Sequence, residues 1–242
     1  IRDPLAPLCI LFTSGSSGTP KAVVHSFNGL RSSALFSNQN IPLITGNRWL
    51  QSLSMWHIGG LMISIRAIFA SATMVIRNKN RTLSEQIEDD KITHVSLVPT
   101  QLSDLLQSTF SHHLEAILIG GGVIPSGLID RAIQMNLPVH TTYGMTELGS
   151  QLSTTPPNAS MEELRSAGKP LGNWQIQINE SYEICVRGEP LFLGYWTSDG
   201  IHSPHDSNGF FNTRDLGEIK DGRLYPLGRS DKMFISGGEN IY

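Results

Sequence analysis

From residue 8 to about residue 145, short apolar runs alternate with stretches of helical period. The runs cover residues 8–12, 49–53, 72–76, 94–98, 115–119 and 139–142, and helical stretches at 27–37, 61–69, 83–89, 100–107 and 126–135 separate most of them. Strands followed by covering helices make βα units, so the pattern predicts an α/β fold with a mostly parallel sheet and flanking helices. Pro99 and Pro125 fall where helices begin, a position that tolerates proline because the first-turn N–H has no intrahelical partner. After about residue 155 the texture changes. Residues 154–160 are polar and hold Pro156 and Pro157, which predicts an exposed connection. The runs 174–178 and 182–186 alternate, with turns at 179–181 and at Asp221 and Gly222, and predict hairpins in a small antiparallel β subdomain. The expected division is 1–155 for the α/β part, 156–230 for the β-rich subdomain and 231–242 for a terminal piece.

Composition narrows the function classes. Lys and Arg number 18 against 21 Asp and Glu, a net charge of −3, so the chain lacks the basic surface a general nucleic-acid binder needs to displace counterions. With 39% hydrophobic and 16% charged residues it can bury a core and does not have the make-up of a disordered chain. The most membrane-like stretch, 59–76, carries Arg66 in its middle and is diluted by Ser64, Ser71 and Thr73, short of the ~20 apolar residues a span needs. Cys9 and Cys185 are far apart and in no ligand spacing, which argues against a disulfide framework and a zinc site and fits a reducing, cytoplasmic compartment. The chain starts at Ile1 without a Met and stops at Tyr242 within what reads as a motif, so a piece of a longer polypeptide is expected.

The strongest chemical signal is Phe12-Thr13-Ser14-Gly15-Ser16-Ser17-Gly18-Thr19-Pro20-Lys21, directly after an apolar run. Its hydroxyls, glycines and lysine can converge on phosphate oxygens. It is not a Walker A loop, because Pro20 stands where that pattern requires Gly and Ala22 where it requires Ser or Thr. Three more segments follow strand ends or turns: Gly120-Gly121-Gly122, Tyr143-Gly144-Met145-Thr146-Glu147, and Thr213-Arg214-Asp215-Leu216-Gly217. Strand ends are where open α/β sheets bind ligands. Taken singly, each of these could be an ordinary surface turn.

Together, in this order, and with Gly228-Arg229-Ser230-Asp231-Lys232 and the loop 235–241, they resemble the acyl-adenylate-forming superfamily of acyl-CoA ligases, adenylation domains and luciferases. The resemblance covers nearly the whole chain. It implies that Thr13, Ser14, Gly15, Ser16, Ser17, Gly18, Thr19 and Lys21 hold the phosphates of ATP, and that Gly120, Gly121 and Gly122 line the adenine. It further implies that Tyr143 stacks on the adenine, Thr146 bonds the α-phosphate and Glu147 holds Mg²⁺, for which a carboxylate is a suitable hard ligand. Asp215 would accept from the ribose hydroxyls, Arg229 would add a ribose or phosphate contact, Asp231 would be the hinge to a C-terminal domain, and the 235–241 loop would meet the pantetheine thiol of CoA. One departure stands out: Ala22 follows Lys21 where most of the superfamily has Gly.

The acid is less plainly marked. Residues 54–60 match the segment that places an aromatic side chain or His beside the acyl pocket, which makes His57 a gate and pocket wall. Arg66 lies nine positions later on the expected helix among apolar neighbours. Nine residues are roughly two and a half turns, so the two need not share a face. A buried unpaired guanidinium would cost several kcal/mol, so Arg66 reaches water, forms an internal ion pair, or meets an anion such as a second carboxylate on the substrate. Residues 49–60 and 93–102, with Ser150 and Gln151, look most like the branch that joins 2-succinylbenzoate, an aromatic dicarboxylic acid, to CoA in menaquinone biosynthesis. The implied chemistry is acyl-AMP formation followed by transfer to CoA, with the isolated piece impaired. Two other functions stay open at this point: a nucleotide-binding module without turnover, and another acyl-CoA ligase or adenylation domain. A homo-oligomer is compatible with the sequence, which does not fix the assembly state.

Overall fold

The computed structural model describes residues 3–13 and 20–230, together with the backbone of 234–236 and 239–241. The centre is a seven-stranded sheet in the order Thr73–Ile76, Arg48–Gln51, His94–Leu97, Ala116–Ile119, Val139–Tyr143, Ser153–Thr154, Lys169–Pro170. Its first five strands are parallel and the last two antiparallel. Helices Ile58–Ala70, Leu83–Asp89, Pro99–Leu105 and Ser126–Gln134 connect or follow these strands, as the alternating pattern predicts. Local chemistry sets their starts: Thr82 and Glu85 form a capping box, and Pro99 occupies the first turn of its helix. The main core joins Leu50, Val95, Leu97, Ile117 and Ile119 of the sheet to Leu102, Leu105, Ile129 and Ala132 of the helices. Among the described residues no helix is long and apolar enough to cross a membrane.

Two expectations are corrected. The first apolar run is not a strand of the parallel sheet. Pro7–Thr13 pairs antiparallel with Lys21–Ser26, and Gly194–Thr197 and Gly200–His202 extend this separate sheet. The run 22–24 directly after Lys21 is itself strand, so the serine-rich segment joins two arms of a hairpin with Thr13 opposite Lys21. The second correction concerns 154–160. Only 156–158 is continuously exposed, whereas Thr154 and Thr155 are buried. Polar side chains lie inside there because Thr154 Oγ1 pairs with Thr142 Oγ1 at 2.8 Å and Thr155 Oγ1 accepts from the Thr141 N–H at 3.0 Å.

The expected antiparallel β part is present as Gln175–Ile178, Glu183–Arg187, Phe211–Lys220 and Arg223–Arg229. The chain crosses residue 155 repeatedly in space. Gly194–Thr197 adds to the Lys21–Ser26 strand, and Lys169–Pro170 adds to the central sheet. A second core of Val23, Leu148, Leu152, Trp174, Phe192 and Phe211 fastens the hairpin, the 146–148 turn and the β-rich part to one another. These packed elements set the walls of the site.

Candidate active site

Two clefts open beside the C-terminal ends of the parallel strands. The first, of about 570 Å³, is lined by Gly121, Gly122, Tyr143, Gly144, Asp215 and Arg229 among others. The second, of about 420 Å³, takes its walls from His57, Arg66, Gly120, Thr146, Ser150 and Gln151 with apolar neighbours. Gly121, Thr142 and Gly144 line both, so the clefts share a wall. The glycine triple straddles that wall, with Gly121 at φ +77°, a backbone form that favours glycine. Gly144 is fixed by contact instead: a Cβ there would fall 1.5 Å from the Ser150 carbonyl oxygen.

In the first cleft the polar groups already hold one another. Tyr143 donates from its phenol to Asp215 Oδ2 at 2.6 Å, and Arg229 Nη1 lies 3.0 Å from Asp215 Oδ1. Burial and the neighbouring Asp215 charge push the Tyr143 phenol well above its usual pKa, so it stays a donor. Residues 72 and 14 positions from Asp215 meet there because strand ends of two different sheets face the same opening.

The second cleft is unlike the first. His57 is exposed and precedes the first residue of Ile58–Ala70, while Arg66 lies on the inner side of that helix with 1% exposure, and both line the cavity. Arg66 thus does not reach water, and among the described residues it forms no ion pair. Its Nη2 donates to Ser150 Oγ at 3.1 Å, its guanidinium lies 5.6 Å from the Trp49 ring centre, and its Nε is buried without a partner. Burial lowers its pKa to about 9, which still leaves it charged at neutral pH. Gln151 Oε1 and Ser96 Oγ, from residues that line the same cavity, are also buried and unpartnered.

Lys21 and Glu147 lie at a third place, linked through Tyr195. The Lys21 ammonium is 5.2 Å from the Tyr195 ring centre, and the Tyr195 phenol donates to Glu147 Oε1 at 2.8 Å. Glu147 follows Thr146, which lines the second cleft, so this group adjoins that cleft through the 146–148 turn. Thr13 ends its strand opposite Lys21. Ser14, Gly15, Ser16, Ser17, Gly18, Thr19 and Asp231 lie outside the described residues, as do the side chains of the 235–241 loop.

Sequence reasoning passed over Tyr195 and His25. Tyr195 stands in an aromatic-rich stretch with no motif of its own. His25 is wholly buried, its Nε2–H donates to the Thr146 carbonyl oxygen at 2.8 Å, and its Nδ1 has no partner. Burial lowers its pKa to about 4, so the ring is neutral. Its position four residues after Lys21, directly behind the apolar run 22–24, was the available signal.

The two clefts with a common wall belong to a known class of protein. The sequence model of the AMP-binding enzyme family matches residues 1–196, and the chain belongs to that family. Within it, the 2-succinylbenzoate–CoA ligase of Bacillus velezensis is 37% identical over 247 residues, covering 96% of this chain and 51% of that protein. Among solved structures, o-succinylbenzoate CoA synthetase from Bacillus subtilis in complex with the acyl-adenylate intermediate OSB-AMP superposes with a TM-score of 0.92 at 35% identity, covering 99% of this chain and 52% of that one. The same enzyme in complex with ATP and magnesium ion gives 0.91 at 35% identity, covering 99% and 54%. The chain spans about half the length of the curated relatives it matches.

Proposed function

We propose that this chain is the nucleotide- and acyl-binding part of an ATP-dependent acid–CoA ligase that activates 2-succinylbenzoate as acyl-AMP and passes it to CoA in menaquinone biosynthesis. The observation that carries the proposal is the wall shared by the two clefts, which would bring a nucleotide α-phosphate and an acid carboxylate within reach of each other. The relatives named for this activity and the bound OSB-AMP of the Bacillus subtilis enzyme support the choice of acid.

In the first step a substrate carboxylate oxygen attacks the α-phosphorus of ATP and pyrophosphate leaves. The protein's part is to align the reactants and offset charge. Asp215 would accept from the ribose hydroxyls, held by Tyr143 and Arg229, while Tyr143 and the Gly120, Gly121 and Gly122 backbone would border the base. Thr146 would bond the α-phosphate, and Thr13, the 14–19 segment and Lys21 the outer phosphates. Arg66, braced by Ser150, would meet the second carboxylate, with His57 at the mouth as a gate. Glu147 fits a magnesium ligand: it is a buried carboxylate that, among the described residues, has no ion pair. Bound there with the phosphates, the ion would neutralise charge on the leaving group. In the second step the CoA thiolate attacks the acyl carbon and AMP leaves, after a rotation about Asp231 that changes the face presented to the site. The free cysteines Cys9 and Cys185 support a reducing, cytoplasmic setting.

Exchange of labelled pyrophosphate into ATP by the complete polypeptide tests the proposal. Exchange dependent on 2-succinylbenzoate is expected. Exchange with other acids alone moves the substrate, and nucleotide binding without exchange leaves a silent module.

A further inference from the structure

Tyr195 belongs to none of the motifs that point to nucleotide chemistry, yet it touches two residues that those motifs supply. An ammonium within about 6 Å of an aromatic ring centre is attracted by the ring face, and Lys21 meets that condition over Tyr195. The phenol's hydrogen bond to Glu147 is charge-assisted.

The ring is also held firmly. Phe192 packs edge-on at 4.9 Å between centres, and Tyr195 sits opposite Val23 where Gly194–Thr197 pairs with the Lys21–Ser26 strand. The same segment grips the carboxylate's own backbone, because the Phe192 N–H donates to the Glu147 carbonyl oxygen at 2.9 Å. Glu147 has one hydroxyl partner and no cation among the described residues, an anion short of countercharge.

We infer that Tyr195 is a positioning residue that aims the Glu147 carboxylate at a divalent cation with its phenol and steadies the Lys21 ammonium for nucleotide phosphates with its ring. The inference rests on the nucleotide reading above. Groups that orient a metal ligand in this way typically alter metal affinity or activity about 10- to 100-fold.

The test uses the complete polypeptide with α,β-methylene-ATP, which cannot release pyrophosphate, and follows Mn²⁺ binding by electron paramagnetic resonance. Tyr195→Phe keeps the ring and removes the hydroxyl. Its Mn²⁺ affinity in the presence of the analogue should fall about 10-fold, while metal-free affinity for the analogue stays within about twofold of wild type because the ring still faces Lys21. Tyr195→Leu should lose metal-free analogue affinity as well, and thermal unfolding checks that it folds; the Phe variant carries the test if it does not. Glu147→Gln is the reference for losing the ligand itself. If Tyr195→Phe binds Mn²⁺ as wild type does while Glu147→Gln is weakened, the inference is overturned and the tyrosine only packs. Glu147→Gln binding like wild type overturns the metal role of Glu147 and the inference with it. A wild-type protein that binds no analogue overturns the nucleotide reading itself, and the positioning role goes with it.

Discussion

The two clefts share a wall and handle their polar groups in opposite ways. In the first, Asp215 is met by the Tyr143 phenol and the Arg229 guanidinium, so the cost of half-burying a carboxylate is offset within the protein. In the second, Arg66 Nε, Ser96 Oγ and Gln151 Oε1 are buried without partners. Each such group forfeits about 1–3 kcal/mol until something bonds it. A self-satisfied cleft is organised before its ligand arrives and suits a constant ligand such as a nucleotide. An unsatisfied one gains most from the particular molecule that supplies the missing bonds, so under the proposed function discrimination between acids would fall to the second cleft.

The largest expected effect falls on the satisfied side. Replacing Asp215 by Ala removes the proposed ribose acceptor, and two charge-assisted bonds at about 1.5–3 kcal/mol each correspond to a loss of at least about 100-fold in affinity. Titration calorimetry of the complete polypeptide with AMP measures it. A loss below about fivefold would separate the aspartate from the nucleotide and erase the contrast between the clefts.

Arg66→Leu sharpens the comparison from the other side. The KM for 2-succinylbenzoate should rise about 10- to 100-fold, the value of one charge-assisted contact, while the KM for its monoester at the carboxylate that is not activated barely moves. The melting temperature should hold or rise, because a buried cation with an unpartnered Nε gives way to an apolar side chain. Equal KM effects on diacid and monoester would end the carboxylate role.

His25 probes the 146–148 turn beside the second cleft. Its pKa is about 4 in the fold against an ordinary 6.5, so the unfolded chain binds the extra proton first as pH falls. Stability contributed by the neutral ring is present above pH 6.5 and is lost progressively as pH drops toward 4. Between pH 7 and 5.5 the loss should be about 1 kcal/mol. Thermal unfolding of wild type and His25→Gln over that interval measures it, and parallel curves for the two proteins would refute it.

The side proposed to hold the nucleotide was the more legible from sequence because its residues come in short segments at strand ends or turns, where residue type and order carry the chemistry. Gly120, Gly121, Gly122, Tyr143, Asp215 and Arg229 were all named from such segments and all border the cleft walls. The helices and parallel strands were legible for a similar reason, since burial on one face writes a period into the chain. The pairing of Pro7–Thr13 with Lys21–Ser26 was not, because Pro7–Thr13 reads as apolar whichever sheet it joins, and its partner is chosen by tertiary pairing. Arg66 stood out in the sequence, with water, an internal ion pair and an anion such as a second substrate carboxylate all open to it. Whether it met water, an acid or an anion depended on Ser150, 84 residues away, and on Trp49 across the helix. Tyr195 meets Glu147 through a hydrogen bond across 48 positions, which leaves no local trace, and His25, bonded to a residue 121 positions away, offered only its place behind an apolar run.

The smallest effect concerns how Arg66 is aimed. Ser150 combines two features: a hydroxyl that accepts from Arg66, and a backbone φ of +100°, strained for any side chain. Its carbonyl oxygen also lies where a Cβ on Gly144 would be. Ser150→Ala removes the hydroxyl and keeps the strain, whereas Ser150→Gly removes both. If the hydroxyl orients the guanidinium, the two variants should raise the KM for 2-succinylbenzoate alike, about threefold or roughly 0.7 kcal/mol. They should differ in unfolding free energy, with the glycine variant higher by about 1 kcal/mol as the strain is relieved. A normal KM in the alanine variant, beside a raised one in the glycine variant, would mean that the backbone and not the hydroxyl sets the arginine, and the second cleft would then be tuned by main-chain geometry as the first cleft is by charge.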